Sequence, residues 1–237
     1  MSIPPETASV ILPIQGERLS LTGRSTSLDD TVAAYEKSLN SAEWQGEILL
    51  VPDGRNAVAA CRRLESALDC VRACPAVSGW GGAVCAGLRA SRGDLLCYTN
   101  YERTSSAALD EMLAFARRNP SLVLRANRRT RASVIQRIGS LLFNLECRAL
   151  LGIAAWDVNG TPKVFPRSFS HLLDLTRQDD LIDAEFSAVC ERWGYPVVEI
   201  PIDARLSRDL DSRPDYYAAL RMYLGVPGVR RQVRRAA

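Results

Sequence analysis

The chain has no run of about 18 uncharged apolar residues, the length that crosses a bilayer, and no basic segment followed by an apolar core near its start. Neither a membrane-spanning helix nor a cleaved leader is therefore expected. It has a single histidine, His171, read as a surface or packing residue, and its seven cysteines include no C-x-x-C pair. An odd set without that spacing excludes the common zinc patterns and a disulfide framework. Cys61, Cys70 and Cys85 fall in apolar helical patterns, where a thiol behaves as a small hydrophobe, so a reducing cytoplasm is the expected compartment. Charge of one sign is scarce as well. Thirty Lys and Arg against 27 Asp and Glu leave a net charge of +3, too little to define a partner, and no nucleic acid is expected. The exception is local, because Arg230, Arg231, Arg234 and Arg235 crowd the last eight residues and form a tail suited to phosphates or acidic lipid.

What is present is an ordinary globular composition, 47% hydrophobic and 24% charged over 237 residues, enough for one α/β domain with a substantial core. Ser9 to Ile14 and Glu47 to Val51 are β-branched apolar runs, with a helical pattern from about Leu28 to Leu39 between them. The alternation continues through a helix near Ala57 to Asp69, a short strand around Val71, a Gly-rich helix start at Gly79 and a strong strand from Asp94 to Thr99. Ser105 to Arg118 then reads as a serine-capped amphipathic helix, followed by an extended segment, Ser121 to Ala126. Strands alternating with helices imply a mostly parallel, twisted sheet with helices on both sides. Beyond Thr130 comes a long apolar helix, Ser133 to Leu151, which suits either a core or a membrane surface. A turn-rich segment from Asp157 to Arg167, a helix from about Leu181 to Trp193, a strand from Val197 to Ile202 and a surface helix from Tyr216 to Leu224 complete the chain.

In an open parallel sheet, ligands gather outside the carboxyl ends of the strands. The first strand runs into Gln15, Gly16 and Glu17, the second into Asp53 and Gly54, the fourth into Asn100, Tyr101 and Glu102, and the fifth into Asn127, Arg128 and Arg129. Carboxylates that accept from a base or ribose, beside arginines that neutralise phosphate, suit a nucleotide diphosphate. The glycines of Ser78-Gly79-Trp80-Gly81-Gly82 precede the fourth strand, whereas a dinucleotide fingerprint follows the first, so NAD binding is not expected. Small residues there let backbone approach a ligand or a neighbouring strand closely.

Val10 to Pro13, Glu47 to Gly54, Gly79-x-Gly81 with Gly87, and Ala90-x-x-Gly93-Asp94 resemble the ordered N-terminal blocks of family-2 glycosyltransferases of the GT-A fold. Asp157-Val158-Asn159-Gly160-x-Pro162-Lys163-Val164-Phe165-Pro166-Arg167, Asp183-Ala184-Glu185 and Glu199 to Ile202 are similar to blocks of the polyprenyl- and dolichyl-phosphate sugar transferase branch. The resemblance spans about Ser9 to Ile202. It implies a GT-A domain over residues 1–205 and a C-terminal extension over 206–237 with a surface helix and basic tail. It also implies a nucleotide-diphospho-sugar donor, with Pro13, Glu17, Asp53, Gly79, Gly81, Asn100 and Glu102 on the donor side. Asp157, Arg128 and Arg129 are then the catalytic candidates, and Lys163 and Arg167 the ligands of an acceptor such as a polyprenyl phosphate.

The family usually carries two aspartates separated by one residue after the fourth strand, where this chain has Asn100-Tyr101-Glu102. Asn100 and Glu102 are the metal-ligand candidates, and the missing carboxylate weakens Mg²⁺ or Mn²⁺ binding. Arg103 is placed either to offset phosphate charge or to pair with Glu102. The implied reaction is direct displacement at the anomeric carbon with inversion. The implied location is cytoplasmic, at the inner face of a membrane if the acceptor is a lipid. The alternative is a catalytically silent GT-A module that binds a nucleotide sugar or a partner. A nucleotidyltransferase is disfavoured, because Gln15-Gly16-Glu17-Arg18 is a poor phosphate loop after the first strand.

Overall fold

The computed structural model describes residues 7–16, 28–41, 45–128, 134–203 and 216–235. The elements run β1 (Thr7–Gln15), α1 (Leu28–Ser41), β2 (Gln45–Asp53), α2 (Arg55–Ala67), β3 (Val71–Ala73), α3 (Trp80–Ala90), β4 (Leu95–Tyr98) and α4 (Ser106–Arg118). They continue β5 (Val123–Arg128), α5 (Val134–Leu151), β6 (Lys163–Pro166), a 3₁₀ turn at Ser170–Leu172, α6 (Ile182–Trp193), β7 (Val197–Ile202) and α7 (Tyr216–Arg235). The strands form one seven-stranded sheet in the order β3-β2-β1-β4-β6-β5-β7. All pairs are parallel except those of β6, which runs antiparallel to β4 and β5.

Alternation along the strands separates two cores, since successive side chains of a strand point to opposite faces. Val10, Leu12, Ile48 and Leu50 pack with α1, α2 and α4 on one face. Ile11, Leu49 and Val51 pack with α3, α5, α6 and α7 on the other. Local chemistry sets the helix ends. The Ser105 hydroxyl caps α4 by accepting from the Ala108 amide at 3.1 Å, as an N-cap serine does. Gly194, with φ of 63°, ends α6 in the left-handed conformation that favours glycine, and the Tyr195 amide turns back to the Cys190 carbonyl at 2.9 Å.

The expectation for the end of the chain needs two changes. A buried strand, β6, lies inside the segment read as turns, and the last helix continues from Leu224 to Arg235. Val226, Val229 and Val233 recur at helical spacing and are buried in the core shared with α3 and α6, so α7 is packed structure along that length.

The amino-terminal edge of the sheet is closed by polar side chains. The Glu47 carboxylate accepts from the Ser9 hydroxyl at 2.7 Å, the Arg92 amide at 2.7 Å and the Arg72 guanidinium at 2.8 Å. Burial pushes this carboxyl up, but the bonds from Ser9, Arg72 and Arg92 outweigh it and hold the group below its ordinary value of 4.5. A depressed carboxylate contributes stability that is full above its unfolded value and is lost as pH falls through its folded value. Glu47→Gln is therefore expected to cost about 1–2 kcal/mol near neutrality. Urea unfolding at a series of pH values below about 4.5 should show a shallower acid limb than the parent.

Candidate functional site

The two strand connections diverge between β1 and β4, which places the sheet's switch point there. β4 ends early. Its last paired residue, Tyr98, is in register with Ile11, and the Thr99 amide donates to the Ile11 carbonyl at 3.1 Å, whereas β1 runs on beside β2 to pair Gln15 with Asp53. The backbone nitrogens of Ile11 and Pro13 point to the same side of β1, but proline carries no N–H. The donor missing at Pro13 is thus aimed past the end of β4, where no ladder bond is left unmade. Pro13 marks the crevice that the strand ends open.

Asp53 stands on one side of this crevice, and its Oδ2 accepts from the Gly79 amide at 3.0 Å, so it also tethers the loop that starts α3. The triplet Asn100-Tyr101-Glu102 stands on the other. Tyr101 is buried and pins the turn, while Asn100 and Glu102 are half-buried on either side of it. The Glu102 amide donates to Asn100 Oδ1 at 2.9 Å, and the amides of Arg103 and Thr104 donate to the Asn100 carbonyl at 3.2 and 3.1 Å. The Thr104 hydroxyl bonds that of Thr99 at 2.7 Å, and its carbonyl receives the Tyr35 hydroxyl at 2.9 Å. The turn is held from below before any ligand arrives.

A divalent cation at this turn would meet one carboxylate, that of Glu102, and whatever lone pair Asn100 Oδ1 has beyond its bond to the Glu102 amide. Among the described residues no group of three or more His, Cys, Asp or Glu side chains is arranged to hold a metal. The single histidine stacks on Trp193 at 3.6 Å between ring centroids, and its Nδ1 lies 2.7 Å from the Tyr195 hydroxyl. Such a donor set does not build an all-protein cage. It fits a cation carried on the phosphates of a nucleotide, with Glu102 as the protein ligand.

The end of β5 carries the next pair. Arg128 donates from Nε and Nη2 to the two oxygens of Asp157 at 2.7 and 2.9 Å, a bidentate clamp on a carboxylate with no exposed surface. Burial pulls the guanidinium down, yet the bonds and charge of Asp157 hold it above its ordinary value, so Arg128 stays cationic. Beneath this pair Arg125 donates to Glu199 Oε1 at 2.9 Å and to the Ser187 hydroxyl at 3.1 Å.

The proposed acceptor pair, Lys163 and Arg167, needs correction. β6 runs from the site edge of the sheet to the opposite edge, so its four-residue step separates the two side chains by about 13 Å. Lys163 is in register with Tyr98, has no exposed surface, and pairs with Asp183 of α6. Arg167 lies at the far edge, where it donates to the Gly93 carbonyl at 2.7 Å and the Ser91 hydroxyl at 2.8 Å. Both cations are committed to the fold, and they do not share a site. Glu17 and Arg129 lie outside the described residues.

The glycines that open α3 have a second correction. A Cβ on Gly79 would stand 2.5 Å from the Gln178 carbonyl, and one on Gly81 would stand 2.5 Å from the carbonyls of Arg177 and Asp179. What approaches is the backbone of the loop before α6, and the Gly82 amide donates to the Gln178 carbonyl at 3.1 Å. Gly160 is required for a like reason, since its Cβ would fall 1.8 Å from the Ala126 carbonyl.

That loop brings in residues which the strand-end reading passed over. A cleft of about 620 Å³ is lined by Ser78, Gly79, Thr176, Arg177, Gln178, Asp179 and Gln232, and Asp179 is its carboxylate. Arg177 pairs with Asp179, and Asp179 Oδ1 also accepts the Leu181 amide at 3.2 Å. Glu185 anchors the loop from α6 by accepting the Thr176 and Arg177 amides at 3.2 and 2.9 Å, and Gln232 of α7 joins it at 3.0 Å. Adjacent aspartates, Asp179 and Asp180, directly before a helix were the available signal. The cysteines take no part in the crevice. Burial pushes Cys61 to about 12 and Cys85 to about 11, leaving them protonated.

No family model matches the chain, and no curated protein matches it. Solved structures do. Glucosyl-3-phosphoglycerate synthase from Mycobacterium tuberculosis, in complex with Mn²⁺, UDP and phosphoglyceric acid, is similar over 96% of this chain and 78% of its own, with a TM-score of 0.70 at 16% identity. The same synthase in a structure whose name mentions no ligand gives a TM-score of 0.69 at 15% identity, over 96% of this chain and 80% of its own. Its complex with Mn²⁺, UDP-glucose and glycerol 3-phosphate gives 0.66 at 16% identity, over 95% and 80%. This likeness is one of fold, and it covers both the parallel half and the part containing the reversed strand: the chain has the GT-A fold of nucleotide-sugar glycosyltransferases.

Proposed function

We propose that the protein is a glycosyltransferase that takes its sugar from a nucleotide-diphosphate donor bound across the crevice between β1 and β4. The observation that carries this reading is the placement of Asp53 and Asn100-Tyr101-Glu102 on opposite sides of that crevice, in a fold shared with structures whose names include UDP and UDP-glucose. Asp53 has a carboxylate for the base or ribose, and the rigid turn offers Asn100 to ribose and Glu102 to the diphosphate side. A divalent cation carried between Glu102 and the diphosphate would spread the leaving group's charge. Arg128, fixed by Asp157, supplies a permanent cation at the end of β5, the next parallel strand beyond β6 on the same edge of the sheet, and preorganised charge of this kind needs no reorganisation during transfer. For a hydroxyl acceptor bound in the cleft, Asp179, the carboxylate that lines it, is the candidate to take the proton once Arg177 turns to the ligand.

A lipid-phosphate acceptor is the second reading, favoured by the exposed aliphatic face of α5 described below. It requires no proton acceptor, and its phosphate ligands would have to be other than Lys163 and Arg167. Transfer assays with a polyprenyl phosphate and with small hydroxyl acceptors separate the two.

The donor reading is tested by thermal shift against UDP-, GDP- and dTDP-sugars, because a specific ligand stabilises the native state by mass action. One nucleotide class is expected to raise the melting temperature. At ligand about 100-fold above its Kd the stabilisation is about 2.7 kcal/mol, or several degrees for a chain of this size. Asp53→Ala should abolish that shift while keeping a cooperative melt. Failure of every nucleotide sugar, with and without Mn²⁺, would overturn the proposal. Donor binding without transfer or hydrolysis under any metal condition would assign the chain to the silent-module alternative.

A further inference from the structure

Ile138, Leu141, Leu142 and Leu145 are each more than half exposed. Their spacing of three, four and seven residues puts them on one face of α5. The opposite face of the same helix is buried through Phe143 and Cys147. The helix is thus apolar toward solvent as well as toward the core, a pattern that marks an interaction surface. α7 packs beside it, with the Tyr223 hydroxyl donating to the Gly139 carbonyl at 2.6 Å and the Tyr223 ring meeting Phe143 edge-on. Leu220 and Leu224 of α7, one turn apart, are 53% and 72% exposed.

We propose that the paired face of α5 and α7 docks on an anionic phospholipid bilayer. The argument for that occupant is charge. No Asp or Glu occurs between Tyr216 and Arg235, whereas Arg221, Arg230, Arg231 and Arg234 are all exposed. Exposed aliphatic residues beside a helix whose charges are all basic match an acyl layer under negative headgroups. A two-fold contact with a second copy would bring this arginine set toward its own image, since such a contact uses the same patch twice. The single carboxylate on the two helices, Glu146, cannot balance it. Near the carboxyl end of α5, Trp156 is 66% exposed with the Arg148 guanidinium 4.4 Å over its ring, the residue type that settles at a headgroup boundary. No helix among the described residues is long and apolar enough to cross a membrane, so the contact is peripheral. The inference does not depend on the donor reading, and the two are measured separately.

Sedimentation of the full chain with vesicles of phosphatidylcholine alone, and of phosphatidylcholine with about 30% phosphatidylglycerol, tests it. Binding to the mixed vesicles is expected to exceed binding to the neutral ones at least about tenfold and to weaken with salt. Leu141→Glu with Leu145→Glu should reduce it by at least about tenfold, with an unchanged thermal melt and donor shift because both side chains face solvent. Leu141→Ser with Leu145→Ser serves if the first variant fails to fold. Arg230→Gln, Arg231→Gln and Arg234→Gln together should remove the preference for phosphatidylglycerol. Equal binding to both vesicle types, or no loss in the leucine variants, would overturn the proposal. A dimer seen by light scattering that the leucine variants dissociate, without vesicle binding by the parent, would assign the face to a second copy.

Discussion

Replacing Asp183 by alanine is expected to destabilise the protein by about 3–5 kcal/mol, the typical cost of leaving one member of a buried ion pair without its partner. Asp183 Oδ1 is the acceptor for the Tyr98 hydroxyl at 2.8 Å and the counter-ion of Lys163, whose side chain has no exposed surface. The rings of Tyr98 and Phe186 flank the ammonium at 5.4 and 5.8 Å, and Arg125 lies near enough to disfavour its charge. In the variant the ammonium keeps those surroundings and loses its anion. A melting-temperature loss of about 10 °C or more is expected in thermal unfolding. A loss below about 1 kcal/mol in urea unfolding would show that the pair is not closed in solution.

The same site has a signed dependence on pH. Burial pushes the Lys163 ammonium below its ordinary value, and the Asp183 charge only partly restores it. A lysine whose folded value is lowered binds fewer protons in the native chain than in the unfolded one, so stability rises with pH through the window below about 10.4. Without Asp183 that window widens, and the variant should recover stability as the solution is made alkaline. Substituting Lys163→Met, Asp183→Leu and Tyr98→Phe together removes the buried ion pair and the hydroxyl bonded to it. It should restore much of the loss, because apolar replacement of a buried pair is often neutral.

This cluster also shows what was legible in the sequence. The β-branched runs of β1 and β2 and the serine cap of α4 carry local signals, and their places and faces were readable from period alone. β6 was not, because a four-residue strand that begins with lysine makes sense only once Asp183, twenty residues later, supplies the counter-ion. Gly79 and Gly81 signalled a close approach, but which backbone approaches is settled by tertiary contacts with Gln178. α7 was half readable. Its arginines suggested a basic tail for phosphates or acidic lipid, while Val226, Val229 and Val233 already stood at helical spacing in the same stretch. On the site side, the strand-end candidates could be listed from the sequence because topology puts strand ends on one edge of the sheet. Arg177 and Asp179 were passed over because the loop before α6 meets the Gly79 loop only through tertiary packing on the start of α3. The pairing of Arg128 with Asp157 joins two residues 29 positions apart, each noted separately for its chemistry.

Glu102→Gln is expected to reduce the transfer rate about 10²- to 10³-fold, the usual loss when one preorganised group opposite a developing charge is removed. The fold should be largely kept, because the turn is held by the Asn100 carbonyl and side chain, by buried Tyr101 and by Thr104, and an isosteric amide can still accept the long 3.5 Å bond from the Tyr101 hydroxyl. An isosteric amide keeps the shape and removes the charge, so the loss should fall on kcat more than on KM and should be accompanied by a weaker response to Mn²⁺. The reciprocal change supplies the missing half of the pair. Asn100→Asp places a second carboxylate one residue before the buried Tyr101 anchor, and more anionic ligands tighten a hard cation. The concentration of Mn²⁺ giving half-maximal rate should therefore fall. If Glu102→Gln retains more than about a tenth of the parent's rate at saturating Mn²⁺, the diphosphate charge is carried mainly by the Arg128–Asp157 pair and its neighbours. In that case Arg128→Gln, not Glu102→Gln, is the variant in which the transfer rate collapses.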